Sequence, residues 1–291
     1  MMFPSFVLPL TVALGLAILV TATHRRLPPI VAARAVTITL AVVAAAAVPT
    51  LWIVSLGYVA HLSLLNGRLD WCAKALGVHD PIPSWIGASA VAMSIVGIVR
   101  ARTVFKGYRR LRHDHPGVVE ITEHEQPFAF TLPGRGGQVV LSTGLVEMLN
   151  EAERQVVVAH ERAHARYRHD RYLLIAQIAA AVMPLLRPLA GRLQFSLERW
   201  ADEMAVADCG DRGFVARTLG KVALRSITPA GAMSFAGLGV PARVAALLSP
   251  PMAPLRSSTH AALWCAIVVT GVFAAFQIHH LVRLVTALCP G

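Results

Sequence analysis

Four stretches of the sequence contain no charged residue and are almost entirely apolar. A helix needs about 20 apolar residues to cross a bilayer. The pattern therefore predicts four transmembrane helices, at about 3–22, 36–60, 82–99 and 261–278. A cleaved secretory signal is the alternative for the first run, but Met1 to Phe6 carries no positive charge and no small-x-small cleavage pattern closes the run.

A folded domain is predicted between the third and fourth runs, from 113 to 250, where charged and turn-forming residues gather. Phe128 to Leu132 and Gln138 to Leu141 are short apolar segments on either side of a Pro-Gly-Arg-Gly-Gly sequence. Two such segments around a glycine-rich loop are typical of a β-hairpin.

Two helices are predicted after this hairpin. The first starts near Asn150, where Glu153 completes a capping-box pattern three residues on, and the second runs from about Arg192 to Asp208. Tyr172 to Leu186, between them, is apolar but only 15 residues long. That length is short for a span and better suited to a core or interfacial helix.

The composition and the placement of charge agree with a membrane protein. Hydrophobic residues make up 55% and charged residues 15% of the chain, against about a quarter charged in soluble domains. The net charge of +11 lies beside the apolar runs, so nucleic-acid binding is not expected. Thr23 to Arg34 and Arg100 to Arg112 are basic without any acid, which places both on the cytoplasmic side. The N terminus and 61–81 then lie outside, and we expect Arg109 and its neighbours to contact anionic lipid headgroups.

These patterns divide the chain into three parts. We expect 1–112 to hold three transmembrane helices and a basic cytosolic loop, 113–250 to form a cytosolic domain, and 251–291 to hold the fourth transmembrane helix and a short outer tail. Cys72 and Cys289 would both lie outside, where a disulfide between them and two unpaired thiols are both compatible with the topology.

One motif in the predicted domain carries metal chemistry. His160-Glu161-Arg162-Ala163-His164 has the His-Glu-x-x-His spacing, in which residues i and i+4 share a helix face and both imidazoles reach one cation. Zn²⁺ is the cofactor that this motif predicts, and a zinc-bound water has a pKa near 7. Glu161 would take the proton of that water and pass it to the departing amine.

Zinc needs a third protein ligand, and a second helix offers two acids four residues apart. We assign Glu198 to the metal, and Asp202 to a ligand histidine whose tautomer it would fix. His169 is a rival, but on a continuous helix it would lie about 140° from the face of His164. The site also requires that Tyr172 to Leu186 does not cross the bilayer, since Glu198 would then lie on the opposite side from the histidines.

The stretch from about Glu125 to Leu248 resembles the peptidase domain of membrane zinc peptidases of the β-lactam-sensor type, BlaR and MecR, and is more distantly similar to HtpX-like membrane peptidases. The residues that carry the resemblance are Phe128-Ala-Phe-Thr-Leu-Pro-Gly134, Ser142-Thr-Gly144, His160-Glu-Arg-Ala-His164, Arg168-His-Asp170 and Glu198-Arg-Trp-Ala-Asp202. Arg168 and Asp170 would support the site from behind the ligands, or form a plain surface ion pair.

The resemblance implies a fold and further site residues. The fold is mainly α and integral to the membrane, with four transmembrane helices and a cytosolic zincin domain of the gluzincin-like α+β type containing a small β-hairpin or sheet. Glu198 would complete the zinc site. The strand near Val139 and Val140 would pair with extended substrate, and Arg243 would stabilise the oxyanion or be an ordinary surface arginine.

The resemblance also implies a function, a membrane-bound zinc endopeptidase acting on the cytoplasmic side. Its substrate would be a protein or peptide, with a transcriptional repressor as the family analogy, and the reaction would serve regulated proteolysis. Quality control of membrane proteins, as in HtpX-like peptidases, is one alternative, and a non-catalytic membrane signalling scaffold is another. The sequence contains no Ser-x-x-Lys, so covalent β-lactam sensing by this polypeptide is not expected.

Overall fold

The computed structural model describes residues 3–62, 82–112, 119–134, 137–225, 239–250 and 257–288. Within these ranges the chain is mostly helical and has one small sheet. The helices are α1 (Phe3–Thr23), α2 (Pro29–Ala60), α3 (Ser84–Leu111), α4 (Thr143–Met148), α5 (Glu151–Arg166), α6 (His169–Val182), α7 (Arg187–Cys209), α8 (Arg212–Arg225), α9 (Val240–Leu248) and α10 (Ser257–Leu288). Two 3₁₀ turns, His24–Arg26 and Pro184–Leu186, precede α2 and α7.

Each of the four apolar runs lies in a helix. Two helices in the described ranges, α2 and α3, are long and apolar enough to cross a bilayer, and α10 contains a shorter apolar stretch, Ala261–Phe276. Large apolar side chains such as Trp85 and Ile95 on α3, and Val272 and Phe276 on α10, are exposed. This apolar outer surface is typical of a membrane contact, while the four-span topology itself stays a prediction.

The helix α2 is central to the packing and contacts α1, α3, α6, α7 and α10. One apolar cluster joins side chains of α1 and α2, such as Leu16 and Leu40, to side chains of the predicted domain, such as Leu193 and Trp200. The helices α6 and α7 therefore share an apolar core with α1 and α2, while the division of the chain at residue 113 stays a prediction.

The sheet contains the predicted hairpin and one strand that was not predicted. Its order is β1 (Val119–Thr122), β3 (Gln138–Ser142), β2 (Ala129–Leu132). β2 and β3 pair antiparallel, which confirms the hairpin, and β1 pairs parallel to β3. A side chain at Gly137, in the turn, would be strained by its φ of 60° and would meet Ala165 of α5.

This topology corrects the assignment of Val139 and Val140 to substrate. Val139 pairs with Val119 on one side and with Thr131 on the other, and Val140 is likewise paired on both sides. A central strand has no free backbone edge to offer a peptide. Among the described residues, the sheet's edge next to α5 is that of β2, which contacts this helix.

The helices α6 and α7 form a hairpin beside α2 and α3. The Tyr108 hydroxyl of α3 donates to Asp170 at the start of α6, and a Cβ at Gly97 of α3 would lie 3.5 Å from the Cα of Val182 at the end of α6. Hence α6 runs antiparallel to α3. The chain reverses at the turn that contains Leu186, and α7 returns, so Tyr172 to Leu186 does not separate Glu198 from the histidines.

Several predictions fall on residues outside the described ranges. The loop containing Cys72 and the tail containing Cys289 are among them, so their pairing stays open. The two described cysteines, Cys209 and Cys265, are free thiols.

Candidate metal centre

The first two predicted ligands project from α5, whose start is fixed as the sequence predicts. Asn150 accepts from the Glu153 backbone N–H at 2.8 Å, and the Glu153 carboxylate accepts from the Asn150 N–H at 3.0 Å, which confirms the capping box. The apolar face of α5 places Val156 against Leu247 of α9 and the facing residues of α7 and α8. Burial of a Val or Leu side chain stabilises a fold by about 1.5–3 kcal/mol.

The three predicted ligands converge at this packed face. The Nε2 atoms of His160 and His164 lie 3.1 Å apart, and Glu198 of α7 places Oε2 3.4 Å from the first and Oε1 3.4 Å from the second. Zinc–nitrogen and zinc–oxygen bonds of about 2.0–2.2 Å at tetrahedral angles put donor atoms roughly 3.3–3.5 Å apart. The spacing and the donor types therefore fit a zinc ion held by His160, His164 and Glu198.

The far nitrogen of each histidine also has a partner. His160 Nδ1 lies 3.1 Å from Asp202 Oδ1, and His164 Nδ1 lies 2.8 Å from His169 Nδ1. A metal-binding Nε2 carries no proton, so the ring proton of each ligand sits on Nδ1 and is donated to these partners. Both rings are thereby held with Nε2 toward the centre.

His169 is the residue that was discounted as a third zinc ligand from its position in the sequence. It is not among the converging ligands, but it contacts one of them from behind because α5 ends at Arg166 and Arg168 adopts a left-handed conformation, with φ 56°. Burial, and then the charge of His164, lower the pKa of His169 to about 3. The ring is therefore neutral and can accept the proton of His164.

The ring of His169 lies in an aromatic cluster. Its centroid is 4.8 Å from that of Trp200 and about 6 Å from those of Tyr167 and Tyr172. Its Nε2 is buried and has no hydrogen-bond partner among the described residues. Aromatic packing of this kind fixes the position of the imidazole that contacts His164.

Arg243 of α9 contacts the third ligand, Glu198, and the neighbouring Asp202. Its NH1 lies 2.8 Å from Glu198 Oε2, and its Nε and NH2 donate to the two oxygens of Asp202 at 2.8 and 2.7 Å. The side chain is 5% exposed, so the surface-arginine interpretation was wrong. Because every guanidinium nitrogen already contacts a carboxylate, the geometry favours a role in orienting Glu198 and Asp202 over a direct contact with an oxyanion.

Glu161 lies beside the ligands and does not belong to the cluster. The Thr131 hydroxyl of β2 lies 2.8 Å from Glu161 Oε2 and 2.8 Å from the Glu161 backbone oxygen. The hydroxyl can donate its single proton to either oxygen. β2 therefore supports the carboxylate that the motif assigns to proton transfer.

The electrostatics of the cluster suit a cation. Burial alone would lower the pKa of His160, but hydrogen bonds to Asp202 and Glu198 and the charges of these residues outweigh it and raise the pKa to about 10. Burial would raise the pKa of Glu198, but the charge of Arg243 and the two histidines lower it. The carboxylates thus stay ionised and favour positive charge at His160, whereas burial lowers the pKa of His164.

Two further sequence motifs have structural roles. Ser142 accepts from the backbone N–H of Leu145 and caps α4, while a Cβ at Gly144 would clash with the Glu125 carbonyl oxygen. Arg168 donates to Asp170, which ties the start of α6 to α3 through Tyr108.

Two histidines four residues apart on one helix, a carboxylate from the next helix and an adjacent glutamate are the arrangement found in zinc metallopeptidases. Comparison with known proteins gives a family match for part of the chain. Residues 102–190 match Peptidase family M48, a segment that contains His160, Glu161 and His164 and ends before Glu198.

A curated relative agrees with this family. Over 71 residues the chain is 37% identical to a protease HtpX homolog from Thermoanaerobacter pseudethanolicus, which covers 24% of this chain and 24% of that protein. The match thus spans about a quarter of the relative's length. No solved structure gave a significant match. The comparisons support a peptidase of family M48. They do not confirm the narrower resemblance to peptidases of the β-lactam-sensor type.

Proposed function

We propose that this protein is a membrane-embedded zinc endopeptidase that hydrolyses peptide bonds at the cytoplasmic face. The observation that carries the proposal is the convergence of His160, His164 and Glu198, with donor atoms 3.1–3.4 Å apart, beside Glu161. The match of 102–190 to a peptidase family supports the same reaction.

Different residues of the site would have different roles in hydrolysis. His160, His164 and Glu198 would hold zinc, which when bound supplies a Lewis acid that lowers the pKa of water. Glu161 Oε would accept a proton from the attacking water and return it to the leaving amine. Thr131 keeps that carboxylate in place.

The packing supports a site close to the membrane surface. The α6–α7 hairpin ends with Val182 at Gly97 of α3, near the inner end of the apolar run 82–99. The ligands lie at the opposite end of the hairpin, toward the basic segment 100–112. With the orientation given by the positive-inside rule, the cluster faces the cytoplasm a short distance from the bilayer.

The substrate would be an extended protein segment at this surface. β2 is the strand edge that neighbours α5, and its Thr131 touches Glu161, so a peptide added along this edge would pass the reacting groups. This replaces Val139 and Val140 as the proposed pairing positions.

The biological use is proposed at two levels. Regulated proteolysis of a repressor or another protein follows from the resemblance to sensor-type peptidases. The similarity to an HtpX homolog favours the second use, quality control of membrane proteins. Comparing the proteins that accumulate when the gene is deleted separates these uses, since regulated proteolysis gives one or two targets and quality control gives many.

Substitution of the general base tests the proposed reaction. Glu161→Gln should retain zinc and lower the cleavage of labelled casein by about 10²–10⁴-fold, because the proton acceptor is removed while the ligands stay. Glu147→Gln, at an exposed position, is the matched control and should retain activity. Wild-type cleavage by Glu161→Gln would rule out Glu161 as the proton acceptor, and absence of cleavage by the wild type as well would favour the non-catalytic scaffold.

A further inference from the structure

A polar cavity lies where the 3₁₀ turn after α1 meets α7 and α9. Its volume is about 380 Å³, within the range of small-ligand pockets. We call it the basic pocket, and its principal lining residues are His24, Arg25, Gly191, Arg192, Phe195 and Ala242.

The basic pocket concentrates positive charge. Arg25 and Arg199 place their guanidinium carbons 5.6 and 5.9 Å from the centre of the Phe195 ring, and Arg192 lies one turn before this phenylalanine on α7. Two guanidinium groups thus share one aromatic ring. A cation–π contact does not neutralise the charge of Arg25, while Arg199 also interacts with the charges of Glu203 and Asp202.

Among the residues that the structure describes, no acidic side chain lines the pocket to balance the charge of Arg25 and Arg192. Neither Arg25 nor Arg192 forms an ion pair with another described residue. Burial lowers the pKa of His24, and the charges of Arg192, Arg25 and Arg199 lower it further. The neutral ring adds hydrogen-bonding capacity, while the arginines supply a positive potential that an anion would relieve.

The pocket lies at the level expected for lipid headgroups. The 3₁₀ turn connects α1 to α2, at the cytoplasmic end of both apolar runs in the proposed orientation. Basic pockets at this boundary, between helices that contact the membrane, recognise anionic headgroups. A free phosphate ion would satisfy the same chemistry, so the test must separate the two sources.

We propose that the basic pocket binds the phosphate group of an anionic phospholipid, with Arg25 and Arg192 as its charged contacts. The proposal rests on the membrane orientation of the proposed function and not on its catalytic chemistry. It differs from the contact predicted for Arg109, because the pocket is a concave site lined by residues of α1, the 3₁₀ turn, α7 and α9.

Occupancy of this pocket would act on the metal centre through short structural links. Phe195 precedes the ligand Glu198 by three residues on α7, and a Cβ at Gly239, at the start of α9, would lie 3.2 Å from the Phe195 ring. Ala242 is followed by Arg243, which holds Glu198 and Asp202. A bound headgroup would therefore stabilise the contact of α9 with α7 next to the ligands.

The test measures lipid binding by the full-length protein in neutral detergent, without peptide substrate. The thermal unfolding midpoint is followed during titration with short-chain phosphatidylglycerol, short-chain phosphatidylcholine or inorganic phosphate, since a ligand of the folded state raises this midpoint. The variants are the pair Arg25→Gln with Arg192→Gln, the occluding Gly191→Leu, and the control pair Arg109→Gln with Arg110→Gln. A Cβ at Gly191, which lines the pocket, meets no atom within 4 Å, so this position has room for the start of a leucine side chain.

The expected result is stabilisation by phosphatidylglycerol alone. The pocket pair should need about thirtyfold more lipid, because each basic group near an anionic lipid contributes roughly a factor of five. Gly191→Leu should remove the effect and the control pair should keep it. An equal loss in the control pair, an unchanged response of Gly191→Leu, or an equal effect of inorganic phosphate would overturn the lipid assignment.

The readouts separate this proposal from the proposed function. If Glu161→Gln retains the lipid response, the pocket stands even where no peptidase activity is found. If cleavage is found but the lipid response survives in Gly191→Leu, the pocket fails and the peptidase stands.

Discussion

Two groups of charged side chains lie about one helical turn apart on α7 and balance their charge in opposite ways. Around Glu198 and Asp202, two carboxylates are paired with two histidines and with the buried Arg243. Beside Phe195, by contrast, Arg25 and Arg192 line a pocket in which the described residues include no carboxylate. The first group is built to hold a cation, and the second attracts an anion.

The difference shows that burial of charge alone does not identify a site's ligand. Buried ions need partners of opposite charge. The charge that a group of side chains leaves uncompensated therefore indicates the charge of its ligand. Each member of the metal centre has a defined contact on the side away from the shared point. In the basic pocket, Arg25 and Arg192 have no carboxylate partner among the described residues that line it.

Removal of Arg243 should have the largest effect on stability. Arg243→Ala leaves the Glu198 and Asp202 carboxylates buried without their cation, which costs about 3–5 kcal/mol. Arg192→Ala, in the basic pocket, should change the free energy of unfolding by less than about 1 kcal/mol in lipid-free detergent, since no ion pair is broken. Chemical unfolding of both variants measures the two changes in the free energy of unfolding. Similar changes would contradict the proposed difference between the metal centre and the basic pocket.

Loss of the imidazole behind His164 should have the next largest effect. His169→Phe keeps the aromatic packing but removes the acceptor for His164 Nδ1–H, so zinc affinity should fall by about 10–100-fold. Competition with a fluorescent chelator measures this affinity. Tyr172→Phe, in the same aromatic cluster, is the control. A His169→Phe variant with wild-type affinity would show that His169 only fills space.

The hydroxyl that supports Glu161 should matter less. Thr131→Val removes one hydrogen bond of about 0.5–1.5 kcal/mol, so kcat should fall roughly 2- to 12-fold while zinc content stays constant. Steady-state cleavage and metal analysis of the same sample check the two expectations. A loss of zinc in Thr131→Val would instead place this residue in support of the ligands.

The contact between α3 and α6 should give the smallest effect, and one that depends on pH. Burial would raise the pKa of Asp170, but hydrogen bonds from Arg168 and Tyr108 lower it. A depressed carboxyl pKa stabilises the fold above the unfolded pKa, and this stabilisation is lost as pH falls through the folded value. Tyr108→Phe should lower stability by about 0.5–1 kcal/mol at neutral pH, and the deficit should shrink on acidification. A deficit that does not change with pH would show that Asp170 is not the group involved.

Local patterns in the sequence predicted the elements that local forces determine. The capping box at Asn150 fixed the start of α5, and the spacing of His160 and His164 placed both on one face. The glycine-rich loop predicted the hairpin. α7 begins at Arg187, five residues before the predicted start, because the chain reverses at Pro184 and the helix resumes immediately.

Features that depend on chain reversal could not be predicted in the same way. The position of His169 was extrapolated along a continuous helix, whereas the left-handed residue Arg168 ends that geometry and turns His169 back toward His164. The burial of Arg243 follows from contacts with residues 41 and 45 positions away, which no local pattern encodes. β1 was missed because four residues paired with a distant strand give only a weak signal.

The central claim is that Glu198 completes a zinc site with the two histidines of α5. Elemental analysis of the purified protein tests it most directly, with Asp208→Ala, exposed on the same helix, as the matched control for Glu198→Ala. We expect about one zinc per chain in the wild type and in Asp208→Ala, and almost none in Glu198→Ala, because two imidazoles alone bind the ion weakly. Equal zinc content in Glu198→Ala and the wild type would contradict it.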